Sequence, residues 1–346
     1  MQATQLYLEL RNCELSRDLK LKYLITIIVV GFVAITIFYY YRGMVLEMKF
    51  PKNTFLPPPV SRFGDFYGVI DQWSHMAFNG VGYGLSYFPS TYLIADMFSH
   101  IQPRMSSLIT FLTIFFGFFL IYAYLNLRSR NNFIETIQNV VVCAFMTFPV
   151  LFTIHTANFE AFIFMFLCLF IYLYQRGKFA LSSLPLAMCI SMKAFPAVFL
   201  ILFVADRKYK EILLTLIAVV ILSLLPLLIF DGGMSSGLDV YLSHLKASQK
   251  MYTDLMITGP AGNHFGHSLL NGLRIVMGDD AFPPMQKILL PYLVLSIFIF
   301  SVLSLFIIFV ERVFWKRIAL LVVSMCLLPY TSTDYKLLHF FIPLFL

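Results

Sequence analysis

Apolar residues run along this chain in long blocks separated by short polar breaks, and the block lengths are those of membrane helices. Runs near residues 24–41, 105–126, 134–154, 159–174, 212–230 and 287–310 approach or exceed the stretch of about 20 residues that crosses hydrocarbon as a helix. The breaks "RSRNN" (128–132), "QRGK" (175–178), "DRKYKE" (206–211) and "ERVFWKR" (311–317) are short and basic, which assigns them to the cytoplasm. Arg11, Arg17, Lys20 and Lys22 precede the first run, which has no small-residue cleavage site, so it predicts a retained span with a cytoplasmic N-terminus. Residues 155–160 and two long stretches, 42–104 and 231–286, then fall outside.

Two stretches need a different treatment. Residues 83–100 must not cross if both flanking assignments hold, and Pro89, Ser90, Asp96 and His100 make them a poor lipid-facing helix. They predict a juxtamembrane or re-entrant segment. Residues 180–204 are long enough to span yet have basic loops at both ends, which predicts a re-entrant hairpin broken near "MKAFP". Pro196 cannot donate a helix hydrogen bond and disfavours helix at Phe195. Such a break is tolerated at membrane depth only against protein or a water-filled cavity.

Composition agrees with this pattern. Hydrophobic residues make up 60% of the chain and charged residues 12%, and the mean hydropathy is +0.81. Soluble domains carry roughly 25% charge. The pattern therefore predicts an all-α polytopic membrane protein, read as one domain over residues 1–346. The net charge of +7 follows from lysines and arginines in the cytoplasmic loops, so it is a topology signal and implies no nucleic-acid partner. Cys13, Cys143, Cys168, Cys189 and Cys326 have no metal spacing and read as small core residues.

The candidate chemistry lies toward the outer side. "GDFYGVIDQWSH" (64–75) offers Asp65 and, one helical turn apart, Asp71 and His75. A loop aspartate is usually a turn or cap. A carboxylate among aromatics at an interface is also suited to accept a proton from a sugar hydroxyl. In "HTANFE", His155, Asn158 and Glu160 stand at a helix mouth, where Asn158 as N-cap and Glu160 as dipole partner compete with a cavity-lining role. Lys193 sits deep in an apolar run, where a charge needs a partner, water or a route to the interface, and such a cation could hold a phosphate.

The stretch "GNHFGHSLLNGLR" (262–274) gathers His264, His267, Asn271 and Arg274. The two histidines lack a completing acid or cysteine, so no metal is expected. Phosphate or sugar contacts, led by the arginine fork, compete there with an ordinary interfacial helix. Asp334 and Lys336 read as a mutual salt bridge. There is no nucleotide-binding glycine loop, and no cofactor is expected.

The order of "YFPS" (87–90), "HTANFE", "QRGK", "LAMCISMKAFPAVFLILFVADRKYK" and "GNHFGHSLLNGLR" resembles the glycosyltransferase-C superfamily. It is most similar to family 87, the polyprenyl-phosphate-mannose-dependent alpha-mannosyltransferases of bacterial envelopes. The chain departs from that family's pattern at two places: Tyr87-Phe88-Pro89-Ser90 stands where the family has tyrosine-proline-proline, and Thr156-Ala157 replaces its glycine-glutamine before the helix-mouth asparagine. The resemblance implies a transmembrane helix bundle with large outer-face loops in a bacterial inner membrane. It also implies inverting transfer of a sugar, mannose in that family, from a polyprenyl-phosphate donor to a glycolipid or glycan acceptor on the outer face. Asp65 matches the family's proposed base, with Asp71 in reserve. Tyr87 belongs to the substrate-binding set, and Lys193 and Arg274 are assigned to the phosphate. Relatives normally continue for one or more helices beyond the position of Leu346, so the sequence reads as a fragment, a truncated gene product or an unusually short member. A transporter or lipid-linked sugar flippase, and an outer-face polymerase or ligase, are the competing readings.

Overall fold

The computed structural model describes residues 2–49, 53–54, 62–79, 87–128, 132–229, 232–252, 266–278 and 282–346. For residues 2–20, 74–79, 244, 248–249, 251–252 and 285–286 it describes the backbone alone. The helices are α1 (Gln2–Tyr40), α2 (Gly64–Asn79), α3 (Pro89–Ser99), α4 (Arg104–Leu127), α5 (Phe133–Phe145), α6 (Phe148–Thr156), α7 (Glu160–Gln175) and α8 (Phe179–Met192). They continue as α9 (Leu200–Ala205), α10 (Tyr209–Leu224), α11 (Gly233–Tyr252), α12 (Leu269–Met277), α13 (Met285–Phe309), α14 (Phe314–Leu327) and α15 (Phe341–Phe345). Among the described residues there is no β-strand, and the chain is an all-α polytopic membrane protein.

Four segments are long and apolar enough to span: Leu21–Val45, Arg104–Leu127, Tyr209–Ile229 and Lys287–Phe309. They coincide with four of the expected runs. Their exposed faces carry Ile27, Ile121, Val220, Ile221, Leu290 and Phe309. An apolar face of this extent is stable against lipid and unfavourable against water.

Two expected spans come out differently. Residues 134–154 divide into α5 and α6, bent by 57°. The cause is Pro149, which lacks the N–H that would bond back one turn to Phe145 and so interrupts the helical ladder. Thr147 marks the break, its hydroxyl donating to the Cys143 carbonyl at 2.6 Å. Residues 159–174 form α7, only 16 residues long and buried along most of its length. Protein, not lipid, surrounds it. The stretch 83–100 contains α3, whose 11 residues are too few to cross.

The chain divides into two compact units. The first comprises Met1–Arg62, Phe116–His155 and Phe345. In it α1 packs on α5, an exposed Lys22–Glu135 pair spans 3.8 Å, and Asn132 caps α5 by accepting from the Glu135 N–H at 3.2 Å. Phe116 meets Phe145 edge-on with centroids 5.5 Å apart.

The second comprises Phe63–Phe115, Thr156–Leu344 and Leu346. Here α7 packs on α8 and α8 on α10. Phe66, Phe98, Phe111, Phe159 and Phe162 form an aromatic knot that anchors the start of α2 against the start of α7. Each such pair adds about 0.5–1.5 kcal/mol beyond its buried area.

At the far end of α7 the Tyr174 hydroxyl donates to Asp206 Oδ2 at 2.8 Å, and Arg317 Nη1 donates to Asp206 Oδ1 at 3.1 Å. Tyr174 also stacks on Phe314, and the Lys208 ammonium lies over the Phe179 ring. Three of the four basic breaks therefore gather at one end of this unit.

The break after α8 falls at Lys193 and Ala194, as the sequence predicts, and a 3-10 turn over Phe195–Phe199 follows. Lys193 is extended, with its N–H still bonded to the Cys189 carbonyl. The Met192 carbonyl accepts from the Phe88 N–H at 3.0 Å and from the Thr91 hydroxyl at 3.4 Å. This fastens Tyr87 and α3 to the broken end of α8.

Candidate functional site

The start of α7 is built on a tight backbone turn. Ala157 is buried with φ of +50°, in the left-handed region that a side-chain-bearing residue occupies at some cost. Asn158 follows and caps the helix one residue earlier than a strict N-cap would, since the capping position itself is Phe159. Its Oδ1 accepts from the Glu160 N–H at 2.8 Å and from the Tyr87 hydroxyl at 2.6 Å. Because a backbone N–H can only donate, the oxygen of the amide must face it, and this fixes the amide's orientation. The other end, Nδ2, therefore donates to Asp65 Oδ2 at 2.6 Å.

Asp65 lies in the first turn of α2, where a helix N-terminus favours negative charge. The protein around it displaces water and raises its pKa above the ordinary aspartate value, opposed by the Asn158 hydrogen bond, the Lys193 charge and a hydrogen bond from Thr156. The result is a carboxylate gripped on one oxygen and readier than usual to take a proton.

Beneath it is a buried charge cluster. Glu160 Oε2 meets Lys193 Nζ at 2.6 Å, and Glu160 Oε1 meets His339 Nε2 at 2.9 Å. All three side chains are less than a tenth exposed. Lys193 Nζ also lies 4.4 Å from the Tyr87 ring centroid and 4.5 Å from that of Tyr335. Its charge is thus matched inside the protein by a carboxylate and two aromatic faces. Asp65, Tyr87, Asn158, Glu160 and Lys193 come together in one constellation in the second unit.

The remaining candidates lie elsewhere. Asp71 is bound by Arg104 Nη2 at 2.6 Å, with both side chains substantially exposed. Surface pairs of this kind contribute about 0–1 kcal/mol. Asp71→Asn is expected to leave both the melting temperature and turnover within about twofold of wild type, as thermal unfolding and a transfer assay would read. His155 is half-buried at the end of α6 and its contacts group it with the first unit. His264 lies outside the described residues.

His267 forms an ion pair with Asp334, and its N–H donates to the Ser332 carbonyl at 2.8 Å. Ser268 caps α12, its hydroxyl accepting from the Asn271 N–H at 3.1 Å. Asn271 and Arg274 are buried on one face of α12, while Ile275, Val276 and Met277 are exposed, which is the pattern of an interfacial helix.

The expected Asp334–Lys336 bridge is not formed. Residues two apart do not share a helix face, and Asp334 turns to His267 instead. Lys336 and His339, three apart on the 3-10 helix Asp334–Phe340, eclipse one another and face inward. Sequence reasoning gave Lys336 only a salt-bridge role and His339 none, although each is a polar residue in an apolar run, the signal that singled out Lys193.

A cavity of about 280 Å³ lies beside α2, lined by Phe66, Tyr67, Trp73, Asp96, His100 and Arg104, among others. The Trp73 indole N–H donates to Asp96 Oδ1 at 2.8 Å, which fixes that carboxylate on the cavity wall.

A multi-pass membrane protein with a hydrogen-bonded carboxylate above a buried acid–lysine–histidine cluster has the parts of a membrane-embedded enzyme. The sequence model of glycosyltransferase family 87 matches residues 87–329, and the chain belongs to that family. It is a membrane glycosyltransferase. Asp65, Lys336 and His339 stand outside the matched segment. Searches of curated proteins and of solved structures return no match.

Proposed function

We propose that the protein catalyses an inverting transfer of mannose from a polyprenyl-phosphate donor to a hydroxyl of a glycolipid or glycan acceptor at the outer face of a bacterial inner membrane. The observation that carries this reading is the Asn158–Asp65 hydrogen bond, which holds a partly dehydrated carboxylate at the mouth of α7. In the transfer Asp65 takes the acceptor's hydroxyl proton, the acceptor oxygen attacks the anomeric carbon, and the carbon–oxygen bond to phosphate breaks on the opposite face. The phosphate leaves with the electron pair and needs positive charge more than a proton.

Lys193 and Arg274 are the two cations proposed for that role, and Lys193 is also paired with Glu160. The cavity beside α2 offers room for an acceptor sugar next to Phe66. The outer-face assignment is supported by distance. Glu160 and Tyr174 lie at opposite ends of α7, about 21 Å apart at 1.5 Å per residue. Three of the four basic breaks gather at the Tyr174 end, which the positive-inside rule assigns to the cytoplasm.

The test is transfer by the purified protein in nanodiscs, with polyprenyl-phosphate-mannose and a panel of glycolipid acceptors. Product with the anomeric configuration inverted relative to the donor supports the reading. Retained configuration rules out single displacement, and no product from any polyprenyl-phosphate sugar rules out this donor class.

The pH profile is a second check. Only the ionised Asp65 can accept the proton, and burial makes protonation set in at a higher pH than for an ordinary aspartate, near 4. Transfer should therefore fall on the acid side with a limb displaced upward from that value. A rate unchanged down to about pH 4 would remove Asp65 from the base role.

A further inference from the structure

Lys336 is a buried cation with no counter-ion among the described residues. It is 3% exposed, and among the described residues no carboxylate forms an ion pair with it. Among the described residues its ammonium meets the Thr331 carbonyl at 3.4 Å, a long contact, and the Phe195 ring, whose centroid is 3.3 Å away. Phe195 is itself half-buried and follows the exposed Ala194, so the cation lies one ring beneath the surface at the break after α8.

The charged and titratable groups around it are settled among themselves. From α7, Glu160 faces it but is taken by Lys193 and His339. From the break, Lys193 repels it. From α14, the Cys326 thiol bonds the Lys336 carbonyl at 3.4 Å. On its own segment, Asp334 is held by His267, and Tyr335 faces Lys193. Burial, with the Lys193 charge adding to it and Glu160 opposing, brings the Lys336 pKa down to about 7. A lysine kept in this condition has capacity for one anion.

We propose that Lys336 is an anion-binding residue that receives the phosphate of a lipid-linked substrate at the break after α8. This rests on the donor class argued above and adds the residue that nothing there assigns. Phosphate is chosen over carboxylate because the neighbouring surface is apolar and aromatic, suited to a phosphate carried on an isoprenoid chain. The segment bearing Lys336 is joined to the start of α12 by the His267–Asp334 pair and the Gly266–Thr333 bridge, so Arg274 and Lys336 belong to connected elements.

The experiment is calorimetric binding of farnesyl phosphate to the full chain in nanodiscs at pH 6 and pH 8, in buffers of different ionisation enthalpy. Wild type should bind at both. Proton uptake at pH 8 should exceed that at pH 6, because the neutral amine is populated only above its pKa. Lys336→Met should bind about tenfold or more weakly and lose the extra uptake, in keeping with the loss of a charge-assisted hydrogen bond. Lys336→Arg, which stays charged, should keep the affinity and lose the uptake.

Unchanged affinity in Lys336→Met, uptake persisting in Lys336→Arg, or no binding by wild type would overturn the proposal. Inorganic phosphate binding as tightly as farnesyl phosphate would overturn its lipid part. If farnesyl phosphate binds through Lys336 but no polyprenyl-phosphate sugar is consumed, the donor reading fails and the anion site stands. If Lys336→Met transfers sugar normally and binds farnesyl phosphate with unaltered affinity, the anion site fails and the donor reading stands.

Discussion

Asp65→Asn should abolish measurable sugar transfer, lowering turnover by about 10²–10⁴-fold, the usual contribution of a general base, while leaving the melting temperature at or above that of wild type. The two halves of this expectation have one cause. The hydrogen-bond chain from Tyr87 through Asn158 to Asp65 is satisfied by an amide as well as by a carboxylate, since the carboxamide oxygen can accept from Asn158 Nδ2. Burial raises the Asp65 pKa, so its ionised form is disfavoured in the folded state relative to the unfolded one. Ionisation at neutral pH therefore subtracts from stability, and stability linked to this group rises as pH falls through its folded-state pKa. Asparagine removes that penalty and the proton acceptor together.

The measurement is turnover and thermal unfolding on the same preparation, with donor binding as a control. Loss of turnover with donor binding and melting temperature retained supports the base. A variant that still transfers at more than a tenth of the wild-type rate would exclude it. A variant that loses turnover only because it melts early would show Asp65 to be part of the scaffold.

Much of this arrangement is legible in the chain because membrane burial makes polar residues conspicuous. Lys193 announces itself inside "CISMKAFPAVF", and the break beside it follows from Pro196. Asn158 and Glu160 announce themselves at the start of an apolar run, but their partners do not. Glu160 is bonded to His339, 179 positions further along, and no local spacing encodes that contact. The Asp334–Lys336 reading failed on geometry: at two positions apart the side chains diverge, and Asp334 turns to His267 instead. The bend at Pro149 illustrates the opposite case, in which the signal is present as "TFPV" but is outweighed by a continuous apolar run.

Glu160→Ala is the substitution expected to unfold the second unit, at a cost of about 3–5 kcal/mol, the range found when one member of a buried ion pair is removed. Lys193 Nζ would keep the two tyrosine rings but lose its carboxylate at 2.6 Å, and His339 Nε2 would lose its acceptor at 2.9 Å. A lysine so buried cannot reach water without dragging open the break after α8. The same break holds Phe88 and Thr91 through the Met192 carbonyl, so the disturbance would spread to Tyr87 and from there to Asn158.

Replacing both charges with apolar residues of similar size removes the orphan. Glu160→Leu with Lys193→Met should therefore recover most of the lost melting temperature. It should not recover transfer if the pair also tunes Asp65, because the Lys193 charge opposes the rise in its pKa. In the double variant the acid limb of any residual activity should move to higher pH. A single Glu160→Ala variant as stable as wild type would mean that Lys193 finds another partner, and a double variant with full activity would confine the pair to holding the fold.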